Sequence, residues 1–362
     1  LGADSTPIRA EKALYDLGQW CREDSELAAY LQDTPSRQLA AALAGEQPLP
    51  DERGEWQRRM RQYLDQYGHT IYELDFAKPV PADDPLPLLE TLKLYVRGEG
   101  TNPHERQGTL LERREAAVQA TLGRIRGLRL RLLRWTLRLA QSFSQAREDS
   151  IFDIGLGYPT LRRLLHELGR RLAKAGVIAD PGDIYWLEHD EVGRSATALD
   201  QGTAPENLIP RVEKRKTSWQ AKRKLAPPHQ LPEKGRVMGI KVDAFMPVGD
   251  EEQSGNRLKG VAASPGQVTG TACVLLGPDN FDQMRAGAIL VAEVTTPAWT
   301  PLFAMASGVV TDIGGPLSHG SIVAREYGIP AVLGTGVATR RIRSGQQVTV
   351  DGTAGEVILP TE

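Results

Sequence analysis

Two unlike residue patterns divide this chain, and they predict a multidomain α and α/β protein: all-α over residues 1–226, compact α/β over residues 259–362. Up to about residue 225, Leu, Ala, Arg, Glu and Gln dominate and β-branched residues are few, which is helix composition. After residue 260, short β-branched runs end on Gly or Pro, which is strand composition. Between them, residues 227–258 are rich in Pro, Gly and charge and read as a linker.

Loop signals at 47–50, 79–85, 98–103 and 179–182 separate the predicted helices. The longest is expected over 105–148, where Ile125, Leu128, Leu132, Trp135 and Leu139 repeat at helical spacing and predict one buried seam. The same stretch carries Arg124, Arg126, Arg129, Arg131, Arg134 and Arg138 with no acid between them. Such a stripe either binds phosphate or RNA, or holds its guanidinium heads in water while the stems cover apolar surface. A charged helix over 205–225 should stop at Pro227-Pro228, and 237–248 is the one apolar stretch of the linker, expected as a strand. Fully extended, the linker would reach about 100 Å, enough for a rigid-body swing. Strands follow at 269–276, 288–294, 308–312, 330–334, 347–351 and 356–359, with helical pieces at 279–285, 300–306 and 319–327.

Composition excludes several classes. With 362 residues, 40% apolar and 25% charged, the chain is neither disordered, collagenous nor membrane-spanning. The net charge of -2 argues against nucleic acid or an anionic membrane as the main partner. Cys21 and Cys273 lie far apart without metal-ligand spacing, so no metal site is expected, and a reducing cytoplasm fits. Neither a signal peptide nor an apolar run of membrane length is present in the sequence, and a first residue of Leu1 suggests a piece of a longer polypeptide.

The chemically informative segment runs from Thr311 to Val332: a strand, the turn Gly314-Gly315, a helix opening on His319, and another strand. Glycines there permit backbone conformations and close approaches that a side chain would block, and Ser318 is a natural N-cap. Gly314, Gly315, Ser318, Gly320 and Ser321 would then cradle an anion with free amides and the positive end of the helix dipole. A neutral imidazole is a nucleophile whose N–P bond keeps high transfer potential, so His319, at an exposed helix start, suits a phosphoryl carrier; spacing alone equally fits a capping or packing residue. Arg325, six residues on, faces elsewhere on the helix and is expected to pair with a neighbouring acid. His104, His166, His189 and His229 lack ligand spacing and read as surface residues.

Gly314-Gly315-x-x-Ser318-His319-x-x-Ile322-Val323-Ala324-Arg325-Glu326-x-Gly328-Ile329-Pro330-Ala331-Val332-x-Gly334 resembles the signature of the phosphohistidine swivelling domain of phosphoenolpyruvate-utilising enzymes. Gly260-Val261-Ala262-Ala263-Ser264-Pro265-Gly266, Thr296-Pro297-Ala298-Trp299-Thr300-Pro301 and Asp351-Gly352-x-x-Gly355 extend the resemblance over 260–359. It implies a β/β/α swivelling domain phosphorylated on His319. Leu317 stands where members often have a regulatory Thr, which implies that control by that route is absent. Tyr67-Gly68-His69, Glu73-Leu74-Asp75, Arg147-Glu148 and 183–187 resemble the helical part of synthase-like and rifampicin-phosphotransferase-like members. His69, Glu73, Arg147 and Glu148 are therefore candidate acceptor-site residues, or else ordinary inter-helix ion pairs and hydrogen bonds.

No Gly-rich phosphate loop of the GxxxxGK[ST] type occurs, and nothing resembles an ATP-grasp domain or a phosphoenolpyruvate-binding barrel. The resemblance thus implies that Mg and ATP sit on a partner domain, in the same polypeptide or on a separate subunit. That partner would load His319, and the swivel would deliver the phosphoryl group to a small-molecule acceptor: pyruvate, an antibiotic or another hydroxyl compound. The competing reading is a non-enzymatic helical scaffold with a swivel-like domain that binds a protein or RNA partner.

Overall fold

The computed structural model describes residues 4–46, 54–73, 75–99, 101–223, 236–237, 240–241 and 255–360. Helices α1 (Thr6–Glu23), α2 (Ser25–Asp33), α3 (Ser36–Ala44), α4 (Gly54–Tyr67) and α5 (Leu86–Arg97) come first. In α1, Ala10, Leu14, Leu17 and Cys21 fall on one stripe and are buried against Trp56 and Met60 of α4 and Leu89 and Leu92 of α5. Asp24 starts α2 by accepting from the amides of Glu26 and Leu27.

The single helix expected over 105–148 is two: α6 (Pro103–Leu122) and α7 (Leu128–Asp153). Gly127, at φ 68°, adopts the left-handed backbone that breaks the run. The predicted buried seam is also corrected. Leu128, Leu132, Trp135 and Leu139 are exposed, and it is Leu133 and Leu137, on the opposite face, that turn toward α6. Helix α7 carries leucines on two faces, so spacing identifies two stripes without saying which one is covered. The arginines from Arg124 to Arg138 are all exposed.

Residues 75–78 and 156–234 form a separate compact unit. It holds α8 (Tyr158–Lys174), a 3-10 turn over Pro181–Trp186, α9 (His189–Asp200) and α10 (Ile209–Arg223), around Leu172, Val177, Ile184, Leu208 and Val212. Helix α10 begins four residues later than expected because the Asn207 side chain accepts from the Ile209 amide and fixes the start there. The expected linker falls mostly outside the described residues, as does the end of the 205–225 helix. Of the linker's predicted strand, β1 (Arg236–Val237) and β2 (Ile240–Lys241) form an antiparallel pair.

The C-terminal part packs with residues 1–74 and 79–155 in one unit. Its strands are β3 (Arg257–Lys259), β4 (Val261–Ser264), β5 (Gln267–Leu275), β6 (Ile289–Ala292), β7 (Gly308–Thr311), β8 (Ala331–Leu333), β9 (Gln347–Asp351) and β10 (Glu356–Ile358). They form one mixed sheet in the order β3-β10-β9-β5-β6-β7-β8-β4. Strands β5 to β8 are parallel, and β4 and β9 flank them antiparallel. One sheet face buries Leu290, Leu302, Phe303, Val309 and Ala324 under α11 (Thr300–Met305) and α12 (His319–Tyr327); the other buries Ile289, Val291, Val310 and Val350 beside α13 (Ala338–Arg341). All six predicted strands and α12 are present. Strands β3 and β4 escaped the reading because each is too short to show alternation.

The turn after β9 is tight: a Cβ on Gly352 would lie 1.9 Å from the Ser264 carbonyl oxygen and 2.7 Å from the Ala331 nitrogen. Both obstacles are backbone. Gly352→Ala is therefore expected to destabilise the protein by about 2–4 kcal/mol, read as a lowered thermal midpoint; an unchanged midpoint would contradict this packing.

Candidate functional site

Strand β7 ends at Thr311, and the chain turns through Gly314 and Gly315 into α12. Gly314 is needed for proximity: a Cβ there would sit 3.0 Å from Leu333 Cβ and 3.3 Å from Ser318 Oγ. Neither Gly314 nor Gly315 has a left-handed φ, so of the two expected uses of glycine here the structure shows the close approach, at Gly314. Ser318 is the N-cap, accepting from the Ser321 amide at 3.4 Å, while Ser321 Oγ donates to the Gly315 carbonyl at 2.7 Å. A Cβ on Gly320 would meet Thr295 Oγ1 at 2.7 Å. Gly328, at φ 65°, ends the helix and sends the chain into β8.

His319 is not exposed as expected; it is 5% accessible. The expectation assumed an open helix start, whereas α7 covers this one. His319 Nδ1 lies 3.3 Å from Glu148 Oε2, Nε2 lies 3.5 Å from Thr300 Oγ1, and Phe303 stands edge-on to the ring. Glu148 is itself buried, and its other oxygen accepts from Arg147 Nη1 at 2.5 Å. Of the four acceptor-site candidates, Glu148 thus meets His319 from 171 residues away, and Arg147 joins it through Glu148.

The other two do not join them in the contacts of the structure. His69 Nε2 lies 3.4 Å from Asp153 Oδ1 and packs edge-on against Phe152, while Glu73 sits beside Gly277. Arg325 is corrected: it donates to the carbonyls of Ala263 and Pro316 and splices α12 to β4 and the glycine turn, where an acid was expected. His104 pairs with Asp16 at 2.8 Å, His166 and His189 are exposed, and His229 lies outside the described residues.

Further residues near the site are not among the candidate site residues. Thr300 and Phe303 face the imidazole from α11. At the far end of α12 the Tyr327 hydroxyl donates to Glu11 of α1, whose other oxygen accepts from Arg106 of α6. Glu326 is buried between these clusters, and burial pushes its carboxyl up to about 7, with Glu148 and Glu11 adding to the effect and Arg106 opposing it. Among the described residues, no cluster of three or more His, Cys, Asp or Glu could hold a metal, and no helix is long and apolar enough to cross a membrane.

Residues 284–355 match the family model of the PEP-utilising enzyme mobile domain, and residues 6–148 match that of the rifampicin phosphotransferase fourth domain. An uncharacterized phosphotransferase of Bacillus subtilis (strain 168), YvkC, is 32% identical over 99% of this chain and 42% of its own length. A rifampicin phosphotransferase of Streptomyces sviceus is 33% identical over 82% of this chain and 33% of its own, and one of Bacillus subtilis is 28% identical over 95% and 39%. The chain therefore spans well under half the length of these relatives.

The Glu326 environment gives a pH test. The unfolded chain releases this proton near 4.5 and the folded chain near 7, so stability falls as pH rises through that window and is level above it. Glu326→Gln is expected to be more stable than the parent at pH 8, on the order of 3 kcal/mol, with the gap closing by pH 4. Denaturant melts at the two pH values check this, and a gap independent of pH would refute the burial argument.

Proposed function

Since this chain belongs to the phosphoenolpyruvate-utilising enzymes, carrying their mobile domain and the fourth domain of rifampicin phosphotransferase, we propose that it is the phosphoryl-carrier part of a phosphotransferase, with His319 loaded and unloaded in turn. The observation that carries this reading is the His319 imidazole seated on Glu148, with the first amides of α12 around it. A helix N-terminus stabilises the negative charge of a phosphoryl group, and Arg147 brings a cation to the same place. The division into a helical acceptor part (1–226), a linker (227–258) and a swivelling domain (259–362) belongs to the same proposal.

The chemistry follows from the proton positions. With Nδ1–H donated to Glu148, the imidazole keeps its lone pair on Nε2, the nucleophilic atom, toward which Thr300 donates. In loading, Nε2 attacks the donor phosphorus; the N–P bond forms and the P–O bond to the leaving nucleotide breaks. An ATP-grasp domain, upstream or on another subunit, is the proposed donor. In delivery, an acceptor hydroxyl oxygen attacks the same phosphorus in line and releases its proton to water, the N–P bond breaks, and Glu148, still holding Nδ1–H, keeps the departing imidazole oriented and neutral. Relatives named for rifampicin favour an antibiotic hydroxyl over pyruvate as the acceptor.

The test is intact mass at alkaline pH, which preserves phosphohistidine, after incubation with Mg-ATP and a source-cell extract. Wild type should gain one acid-labile phosphoryl group and His319→Ala none. Glu148→Gln, whose amide can favour the wrong imidazole tautomer, should slow loading and delivery alike, by about 10²–10⁴-fold. An unmodified wild type, in an extract competent on a related carrier, would sink the carrier reading.

A further inference from the structure

A carrier histidine that is 5% accessible must be uncovered before any external donor reaches it, so something must hold it down reversibly. Three sets of polar contacts join the mixed-sheet part to the helical part around His319, beside the Tyr72–Phe281 ring contact. Thr296 Oγ1 and Trp299 Nε1 donate to the Ile71 and Tyr72 carbonyls at 2.7–2.9 Å, His319 meets Glu148, and Tyr327 meets Glu11. The third set is built unlike the others. Glu11 and Arg106 form an ion pair with side chains only 3% and 9% exposed, and the Arg106 guanidinium lies 3.6 Å over the Tyr327 ring. Tyr327 Oη also lies 3.4 Å from the carbonyl of Thr300, the residue whose hydroxyl faces the imidazole. Tyr327 is the last residue of α12 and His319 the first, so fixing one end of a two-turn rod fixes the other.

We propose that Glu11, Arg106 and Tyr327 are positioning residues that form a polar latch, holding α12 so that His319 faces Glu148, and that opening this latch exposes His319. Tyr327 meets this ion pair through one hydroxyl and one ring face, contacts that water can replace when the surfaces part, whereas a large apolar contact would resist separation. The consequence for turnover rests on the carrier reading above. The latch itself does not.

The experiment uses the full chain and phosphoramidate, which phosphorylates accessible imidazoles without an enzyme. Site-resolved mass spectrometry follows His319, with fully exposed His189 as reference and thiol labelling of Cys21, 0% exposed in the helical core, as the monitor of global unfolding. Tyr327→Phe and Glu11→Gln should each raise the His319 rate about tenfold or more relative to His189, leaving Cys21 protected. Unchanged His319 rates would overturn the latch, and so would a rise matched by Cys21, which would assign these residues to general stability. Failure of the carrier reading would show instead as an absence of ATP-dependent loading, with the phosphoramidate rates unaffected.

Discussion

The contact between His319 and Glu148 is the constraint around which the described architecture is organised. It joins the first residue of α12 to a carboxylate near the end of α7, and neither group could be buried without the other. An imidazole alone under α7 would lose its hydrogen bonds to water. A carboxylate alone would keep an unshielded charge. Together, with Arg147 on the outer oxygen and Thr300 on the second ring nitrogen, they satisfy each other's main polar atoms.

Around that contact the interface is more polar than a permanent core. Its hydrogen bonds run from Thr296 and Trp299 to backbone carbonyls, and from Tyr327 to a buried ion pair, with Glu326 enclosed beside them. The apolar cores lie to either side, one among α1 to α5 and one on each face of the sheet. Apolar contact crosses at one point, where Tyr72 of the helical part is buried with Phe281 and Trp299, while the surface nearest His319 is held by groups that water can also satisfy. This is the arrangement expected of surfaces that separate and return.

The sequence made the C-terminal architecture readable because its strands are β-branched runs bounded by Gly and Pro, and because Ser318 and Gly328 mark both ends of α12. His319 stood out for the same local reasons. What stayed hidden is whatever depends on distant residues. Glu11 and Tyr327 are 316 positions apart, and no spacing rule links them. The stripe on α7 failed differently: Leu128, Leu132 and Trp135 have the right periodicity, yet a helix with two apolar faces leaves the choice of buried face to its neighbours. His319 was expected in the open because a helix start is normally exposed, and only the third dimension brings Glu148 over it.

The manner in which Thr296 and Trp299 grip the helical part has an evolutionary consequence. Both donate to main-chain carbonyls, at Ile71 and Tyr72, so the hydrogen bonds are indifferent to the side chains those positions carry. Docking through peptide backbone leaves position 71 little restricted by these bonds, whereas Tyr72 is held by its ring contact with Phe281. The same docking geometry can persist while the helices around it diverge in sequence.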